Sequence, residues 1–511
     1  MGKISRRDFL KTGAAVTAGT LGPASPVRSL ASENPPANTR DSKKPRNVLI
    51  LMSDQHTPSA LGFKGDAVAH TPNLDQFART AVSFDQAYCT YPLCLPSRAS
   101  FLTGLYPQHH QAYTNQTPWP FEHKTLGHYF HDAGFMTSLI GKMHFIDAQT
   151  HGFDYYMDFN DWFQYLGPKM KIWADELGQA NDGSGLPQIP SLWEKQDPWA
   201  GLRVDDDRAG YIAVGRRSRL QEEDHFESFV ARESVRFLEQ YGKKRPFFLI
   251  SSFLKPHPPF APAARFSNMF NPAEMKLPDS WGKVNLTTVP RAIRSSIEWP
   301  AATPELRHPE EARIRMAMYY AQLAQMDDCA GQVLRALRDL NLEDDTLVLY
   351  TSDHGEMLGR HGLWNKYVFY EPSVGVPFLC RVPGLTPQAA RCKTPVSLVQ
   401  GVATLAELCG LPIPSGLDGT SFAANVRDPG RILDTTVFAA YGIAEKNAGC
   451  MVRHANYKYC YYPGDLAELY DLESDPEEMK NLALLPEFKS RVDEMKRRLL
   501  EWYTPASASR S

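Results

Sequence analysis

Asn47-Val48-Leu49-Ile50-Leu51-Met52-Ser53-Asp54-Gln55 is a continuous apolar run that stops abruptly at polar residues. Such a run is typical of a strand that is buried on both faces of a parallel sheet. From Arg46 to about Pro383 the chain alternates runs of this kind with helical patterns, among them 225–241 and 310–340. This alternation predicts an α/β fold, with a large mixed, mainly parallel sheet sandwiched by helices.

Three further apolar runs end in polar residues in the same way. They are 135–140 before Lys142 and His144, 247–253 before His257, and 346–350 before Asp353 and His354. Because ligands of open α/β sheets bind beyond the carboxyl ends of the strands, we expect these polar ends to share one edge. Each residue alone also has a plainer interpretation, such as a helix cap, a solvent-facing lysine or a core histidine.

The predicted edge combines metal-binding and anion-binding side chains. Two carboxylates, Asp54 and Asp353, together with Gln55 and His354, form a donor set that indicates a divalent cation. The remaining side chains are cationic or can become so, and they suit an anionic substrate: Lys142, His144, His257 and Arg98.

Cys94-Leu95-Pro96-Ser97-Arg98 places a cysteine just before a predicted helix. Pro96 suits the first helical position, and Gly104 is a good stop after Thr103. Cys94 would then lie at the positive end of a helix, where backbone N–H groups and Arg98 favour a sulfate or phosphate group. A reactive or half-buried thiol before a helix is the alternative.

The run Cys94-x-Pro96-Ser97-Arg98, followed by Ala-Ser-Phe-Leu-Thr-Gly, resembles the signature of the type I sulfatases, the formylglycine-dependent family of the alkaline phosphatase superfamily. The resemblance extends from about residue 46 to residue 483 and includes 361–366 and 469–476. It implies that a formylglycine-generating maturation enzyme oxidises Cys94 to formylglycine (3-oxoalanine). The hydrated aldehyde would then be the nucleophile.

The resemblance also implies a role for each site residue. The metal ligands would be Asp54, Gln55, Asp353 and His354 together with the nucleophile at position 94. The side chains that hold the nucleophile or the sulfate group would be Arg98, Lys142, His144, His257 and Lys366. For sulfate ester hydrolysis we expect Asp353 to act as the first base and His257 as the acid for the leaving oxygen. His144 would be the second base.

Two metal positions depart from many arylsulfatases of the family, which have Asp at the position of Gln55 and Asn at that of His354. The pair Asp-Gln with Asp-His looks like the choline-sulfatase and phosphonate-monoester-hydrolase branch. We expect Ca²⁺, and Mg²⁺ or Mn²⁺ also fit such ligands, because an imidazole shifts the preference toward transition metals such as Mn²⁺, Fe²⁺ or Zn²⁺.

The substrate is less defined. Residues 145–165 are crowded with aromatic side chains whose spacing we interpret as neither helical nor alternating. Such a loop could stack on sugar rings, enclose a quaternary ammonium, or only hold itself against the sheet. We predict a sulfated carbohydrate, with choline-O-sulfate or a phosphonate or phosphate monoester as alternative substrates. An anion-binding protein that is never oxidised is the alternative without catalysis.

The N-terminus indicates export. Ser5-Arg6-Arg7-Asp8-Phe9-Leu10-Lys11 precedes a mildly apolar run and Ser29-Leu30-Ala31, as in twin-arginine signals. This pattern predicts a signal peptide over 1–31, recognition by the twin-arginine export machinery, and a periplasmic or extracellular protein. A basic tail with a disordered linker is the alternative. Sulfatases that are exported more often act on polysaccharides, whereas choline sulfatases act in the cytoplasm, which favours the carbohydrate.

The distribution of apolar segments and the overall composition predict the domain boundaries and exclude several classes of protein. We predict a linker over 32–45, a catalytic domain over 46–433 and a small C-terminal domain over 434–511. This domain would have a short antiparallel sheet, from the apolar pieces 436–440, 449–453 and 457–462, and a helix at about 486–503. The insert 164–222 would shape the mouth of the pocket. A net charge of −3 argues against nucleic-acid binding, and no internal segment is apolar enough to span a membrane. Eight cysteines without a CxxC pair argue against a zinc site and a disulfide scaffold.

Overall fold

A computed structural model describes residues 44–119, 122–145, 149–176, 215–291, 293–294, 308–443 and 448–503. The predicted signal peptide, nearly all of the linker and most of the insert 164–222 lie outside the described residues. No helix in the described ranges is long and apolar enough to cross a membrane. All eight cysteines fall within these ranges, and they are buried and form no disulfide.

The strands, in chain order, are β1 (Asn47–Asp54), β2 (Val82–Phe84), β3 (Ala87–Tyr88), β4 (Met136–Gly141), β5 (Tyr155–Met157), β6 (Phe247–Pro256), β7 (Thr346–Ser352), β8 (Gly375–Val376), β9 (Phe378–Arg381), β10 (Ala390–Cys392), β11 (Val396–Ser397), β12 (Thr436–Tyr441), β13 (Gly449–His454), β14 (Tyr457–Tyr461) and β15 (Glu468–Asp471).

The α-helices are α1 (Pro72–Ala78), α2 (Cys94–Thr103), α3 (Pro107–His110), α4 (Leu126–Asp132), α5 (Phe159–Leu166), α6 (Met170–Glu176), α7 (Phe226–Tyr241), α8 (Ala264–Ser267), α9 (Pro309–Asp339), α10 (Glu371–Val374), α11 (Gly401–Leu408), α12 (Ala423–Arg427) and α13 (Lys489–Trp502).

The main sheet has eight strands in the order β10-β2-β9-β7-β1-β6-β4-β5. At its centre β1 pairs in parallel with both β6 and β7, with Val48 opposite Phe248 and Leu347. Strand β9 runs antiparallel to both of its neighbours. Since β4 also pairs in parallel with β6, the four strands predicted to carry chemistry are adjacent and end at one edge. The predicted mixed, mainly parallel sheet is confirmed.

Both faces of this sheet are covered, as the continuous apolar runs predict. Leu49 and Leu51 of β1 belong to one core cluster, which includes buried residues of α7 and α9. Val48, Ile50 and Met52 belong to the cluster on the other face, which includes residues of α2 and α11. Alternate residues of one strand thus anchor two layers of helices.

The C-terminal region forms a separate antiparallel sheet in the order β12-β13-β14-β15, against which α13 packs. Three of these strands and the helix were predicted, but β15 was not. The proposed domain boundary at residue 434 falls two residues before β12 begins. A third small sheet has the order β11-β3-β8.

Two local predictions were wrong. Helix α2 begins at Cys94 rather than at Pro96, so the cysteine lies in the first helical turn; Gly104 ends the helix with a left-handed φ of 72°. The aromatic segment contains a regular helix, because Phe159, Trp162, Phe163 and Leu166 repeat at helical spacing and are all buried. These rings pack in the core, which favours the structural interpretation for this part of the segment.

Candidate active site

The predicted site residues meet at the carboxyl edge of the central strands. Asp54 is the last residue of β1, and Asp353 directly follows β7. Lys142 directly follows β4, and His257 directly follows β6. Gln55 turns the chain after β1 with a left-handed φ of 66°, a conformation that non-glycine residues adopt mainly where the surroundings enforce it.

Arg98 joins the two carboxylates. Its Nε donates to Asp353 Oδ2 at 2.8 Å, and Nη2 donates to Asp54 Oδ2 at 2.9 Å. Its Nη1 donates to the carbonyl oxygen of Lys142 at 2.5 Å and to Ser252 Oγ at 2.9 Å. Burial alone would lower the pKa of Arg98, but the charges of Asp353 and Asp54 raise it. The fully buried guanidinium is therefore committed to neighbouring protein groups, and it fixes the carboxylates for a ligand.

Lys142 provides a second cation. Its Nζ lies 2.6 Å from Asp54 Oδ2 and 3.8 Å from Cys94 Sγ. Burial would raise the pKa of Asp54, but the neighbouring cations Lys142 and Arg98 hold it well below its usual range. Asp54 is thus an ionised carboxylate in a fully buried setting.

Cys94 lies against the same group. Its Sγ is 3.2 Å from His354 Nε2 and 3.8 Å from Asp54 Oδ1. Burial and Asp54 raise the pKa of the thiol, but the lysines Lys142 and Lys366 outweigh them and the pKa is lowered. Position 94 is therefore an electropositive place for an anionic group.

A cation would fit here. One ligand atom each from Asp54, Cys94, Asp353 and His354 can be chosen so that all lie within 4.8 Å of one another. His354 Nδ1 lies 3.0 Å from the carbonyl oxygen of Gly355, which can only accept a hydrogen bond. Burial lowers the pKa of His354, but the charges of Asp353 and Cys94 outweigh it and the pKa is raised. A bound cation would displace the proton from Nε2, leaving the Nδ1 proton on the carbonyl oxygen and the Nε2 lone pair on the cation, as in many metal-binding histidines. Two carboxylates and a neutral imidazole suit a divalent ion.

Gln55 lies beside this cluster. Its backbone N–H donates to Asp353 Oδ1 at 3.1 Å, and its Oε1 accepts from Lys366 Nζ at 2.6 Å. Its Nε2 donates to Glu356 Oε2 and, at 3.5 Å, to Asn365 Oδ1. The structure thus brings both Gln55 and Lys366 to the predicted place.

The two histidines differ in setting. His257 Nε2 is 4.0 Å from Asp54 Oδ1, while Nδ1 is 2.6 Å from the carbonyl oxygen of Pro258. His144 is half-buried and has a left-handed φ of 62°. Burial, followed by the charge of Lys142, holds the pKa of each histidine well below its usual range. Both are therefore neutral at physiological pH in the absence of an anionic ligand.

Reasoning from the sequence did not assign roles to Ser252, Glu356 and Asn365, which the structure adds to this environment. The signal was present for two of them. Ser252 is a polar residue near the end of a fully buried strand, and Glu356 is an acid three residues after Asp353.

A cavity of about 60 Å³ opens beside Lys142 and His144, at the ends of β4 and β5. Its lining includes the rings of Phe145 and Tyr156, which stack at 5.8 Å, and the polar side chains Asp158 and Asn160. The site as a whole thus offers a cation-binding corner, two lysines and an adjoining aromatic cavity. Such an arrangement can bind a tetrahedral oxyanion and stabilise charge that develops on it.

Comparison with known families agrees with this geometry. The model of the family described as Sulfatase matches residues 46–411. A model described as "N-sulphoglucosamine sulphohydrolase, C-terminal" matches 359–504, and one for the twin-arginine translocation signal matches 3–23. The chain is 30% identical to a choline-sulfatase of Rhizobium meliloti over 455 residues, which is 86% of this chain and 83% of that protein.

Solved structures show the same fold. A phosphonate monoester hydrolase of Agrobacterium radiobacter superposes with a TM-score of 0.74 at 22% identity, covering 90% of this chain and 95% of that one. A protein solved with its substrate D-glucosamine-2-N,6-O-disulfate superposes with a TM-score of 0.68 at 20% identity, covering 90% and 97% of the two chains.

Proposed function

This chain belongs to the sulfatase family and is a sulfuric ester hydrolase, and on that premise we propose that it cleaves the sulfate monoester of a carbohydrate by means of formylglycine at position 94 and a divalent cation. The observation that carries the proposal is the convergence of Cys94, Asp54, Asp353 and His354 on one buried point.

We propose that a maturation enzyme, using an external two-electron oxidant, converts Cys94 to formylglycine before folding is complete, with a C–O double bond replacing the C–S bond and the sulfur leaving as sulfide. The Cys94 side chain has no exposed surface in the folded chain, so the folded protein offers no access to it. Since the twin-arginine route carries folded proteins, this oxidation would precede export. The aldehyde hydrate would supply one hydroxyl as the nucleophile and a second whose deprotonation releases sulfate without attack of water on sulfur.

The contacts revise the expected first base. Asp353 is engaged at both oxygens, by Arg98 at Oδ2 and by the backbone N–H groups of Gln55 and His354 at Oδ1. Asp54 Oδ1 lies 3.8 Å from Cys94 Sγ, the atom that stands in for a hydroxyl of the aldehyde hydrate. We therefore assign removal of the nucleophile's proton to Asp54, and we assign to Asp353 the role of a metal ligand.

The three buried cations have different proposed roles. Arg98 donates hydrogen bonds to both carboxylates, and also to Ser252 and a carbonyl oxygen. We therefore assign it to the alignment of the carboxylates. Lys142 and Lys366 remain for the oxygens of the sulfate group. Each such donor is worth about 10²–10³ in rate when it is aimed at developing charge.

His257 is proposed as the acid for the leaving oxygen and His144 as the second base. The Pro258 carbonyl holds the proton of neutral His257 on Nδ1, so Nε2 must gain a proton before it can donate one. A bound sulfate ester would favour that protonation, since its negative charge opposes the effect of Lys142 and Lys366 on the pKa. The lowered pKa of His144 already suits a base.

Asp54, Gln55, Asp353, His354 and residue 94 would hold the cation. When bound, it would polarise a sulfate oxygen and lower the pKa of the attacking hydroxyl. Calcium remains the ion we propose, with Mg²⁺ and Mn²⁺ as the alternatives that the imidazole allows.

The cavity beside His144 supports a carbohydrate as the alcohol part. Asp158 and Asn160 in its lining offer hydrogen-bonding groups for hydroxyls, and the Phe145–Tyr156 stack offers apolar contact beside them. The neighbour solved with a sulfated glucosamine and the twin-arginine signal agree with an exported enzyme, periplasmic or extracellular, that meets such sugars. Choline-O-sulfate is the second candidate, because the choline-sulfatase relative is 30% identical to this chain, whereas the neighbour solved with the sulfated glucosamine is 20% identical.

The test compares hydrolysis of four compounds by the mature exported protein: a sulfated glucosamine, choline-O-sulfate, an aryl sulfate and an aryl phosphonate monoester. We expect the sulfated sugar to have the highest kcat/KM and activity to disappear on chelation and return with Ca²⁺. Cys94→Ala should abolish turnover, and an unoxidised Cys94→Ser should release at most one equivalent of alcohol. Sustained turnover by Cys94→Ser, or a preference for the phosphonate, would contradict the proposal.

A further inference from the structure

We propose that Glu356 is a positioning residue that selects which atom of the Gln55 carboxamide faces the metal site. The inference rests on one part of the proposed function, the binding of a divalent cation, and does not depend on which ester is hydrolysed. Glu356 has no exposed surface, and it lies three residues after Asp353.

The need for such a residue follows from the chemistry of an amide. The oxygen and nitrogen of a Gln side chain have nearly the same shape, yet only the oxygen can bind a cation. A glutamine that serves as a metal ligand must therefore be held in one of two flipped orientations. Asp at the same position would need no such device, because its two oxygens are equivalent.

Both ends of the Gln55 amide are specified. Glu356 Oε2, an acceptor, receives a hydrogen bond from Nε2, and Asn365 Oδ1 lies 3.5 Å from the same nitrogen. Lys366 Nζ can only donate, and it lies 2.6 Å from Oε1. Flipping the amide would bring two acceptors against an oxygen and an ammonium against an NH₂ group.

Glu356 is itself held firmly. Its other oxygen, Oε1, accepts from the backbone N–H groups of Leu358 at 3.0 Å and Asn365 at 2.6 Å. Arg315 Nη2 lies 4.0 Å from Oε1 and donates to Asn365 Oδ1 at 2.8 Å. These contacts compensate the buried charge, which would otherwise be costly.

The same carboxylate ties together the two ends of the segment 358–365, which leads into Lys366. Glu356 thus fixes the orientation of the Gln55 amide. It also fixes the backbone that leads into Lys366, whose Nζ binds the oxygen of that amide. Losing this carboxylate should loosen the metal site without removing any ligand. Mutation of residues that hydrogen-bond to metal ligands typically lowers metal affinity by about 10–100-fold.

The test is a double-mutant cycle read by cation affinity. Ca²⁺ and Mn²⁺ are titrated by calorimetry into the chelator-stripped full-length mature protein, as wild type, Glu356→Gln, Gln55→Ala and the double variant. We expect Glu356→Gln to weaken Ca²⁺ binding by about 10–100-fold in the wild-type background and to have almost no further effect with Gln55→Ala. Glu468→Gln is the matched control, because that buried carboxylate contacts Tyr370, Tyr462 and Tyr470 instead.

Equal losses in both backgrounds, or no loss at all, would overturn the inference, since Glu356 would then not act through Gln55. If Glu356→Gln does not fold, Glu356→Asp keeps the charge beside Arg315 but withdraws it from Gln55, and the same criterion applies. Cation binding is measured without turnover. A protein that shows the predicted cycle but cleaves no sulfate ester would therefore refute the proposed function alone, whereas a protein that binds neither cation would refute both.

Discussion

The molecule contains two buried clusters of charge that look alike in composition but differ in what they leave unpaired. The catalytic cluster comprises Asp54, Arg98, Lys142, Asp353 and Lys366. The interface cluster joins α10 to the C-terminal sheet and comprises Glu371, Arg453, Lys458 and Glu478, with Tyr88.

In the interface cluster each cation faces carboxylates. Lys458 Nζ is 2.9 Å from Glu371 Oε1 and 2.5 Å from Glu478 Oε1, and it also donates to a backbone carbonyl. Arg453 lies 3.7 Å from Glu371. Each cation thus lies against at least one carboxyl group, so this cluster is a closed connection between the catalytic and C-terminal regions.

The cations of the catalytic cluster are paired differently. Arg98 and Lys142 share Asp54, while Lys366 binds a neutral amide rather than a carboxylate. Lys142 also lines the adjoining cavity, and its partner Asp54 is one of the candidate metal donors. Burial of charge alone therefore does not identify an active site, whereas a buried cation that lines a cavity beside candidate metal donors makes one a candidate.

Apart from the loss of Cys94, the largest effects should come from two histidines beside the catalytic cluster, His144 and His257. We expect His144→Ala to lower kcat by about 10²–10⁴ while leaving kcat/KM nearly unchanged, because His144 acts only after the alcohol has left, so that KM falls together with kcat. Rapid-mixing kinetics should then show a burst of alcohol followed by slow turnover.

His257→Ala is the matched comparison. It should show no burst, and its loss in rate should grow with the pKa of the leaving alcohol, because an acid matters most for poor leaving groups. A burst in His257→Ala and none in His144→Ala would reverse the two assignments.

A pair of buried lysines sharpens the comparison between the clusters. Lys142→Met should lower kcat by about 10²–10³ with little change in stability, because Arg98 still pairs with Asp54. Lys458→Met should instead destabilise the fold by about 3–5 kcal/mol, because two carboxylates lose their shared cation. Denaturant unfolding and kcat per folded molecule measure the two effects. Loss of kcat in folded Lys458→Met would remove the distinction.

A smaller effect concerns pH. Burial, reinforced by Glu371, raises the pKa of Glu478 from 4.5 to about 8. Between those values the folded state holds a proton that the unfolded state has lost, so stability falls as pH rises, by at most about 1.4 kcal/mol per pH unit, and levels off above pH 8. Glu478→Gln should flatten this slope in unfolding curves measured from pH 5 to pH 8. An identical slope in both proteins would show that another group titrates.

Much of this arrangement could be predicted from the sequence. The ends of β1, β4, β6 and β7 were predictable because buried parallel strands are continuous apolar runs and their ends must share an edge. The partners of each buried charge could not be predicted, since Lys142 and Lys458 look equally polar in the sequence. Nothing local distinguishes a lysine that faces a cavity from one enclosed by carboxylates.

The misses have physical causes. Aromatic residues on both sides of Phe159–Leu166 obscured the helical spacing of its buried residues. Strand β15 was missed because it has only four residues and is defined by its pairing with β14. The contact between Glu356 and Gln55 joins residues 301 positions apart, so no local pattern could reveal it. The preference for Asp54 over Asp353 as the first base, which we propose, likewise depends on contacts between residues far apart in the sequence.

The most direct test of the account is mass analysis of the peptide that contains residue 94, from protein exported by its own host, alongside the rate of sulfate ester hydrolysis in the same preparations. We predict formylglycine at position 94, with activity proportional to the oxidised fraction. A preparation that carries only the unmodified Cys94 thiol and still hydrolyses the ester at full rate would contradict the account.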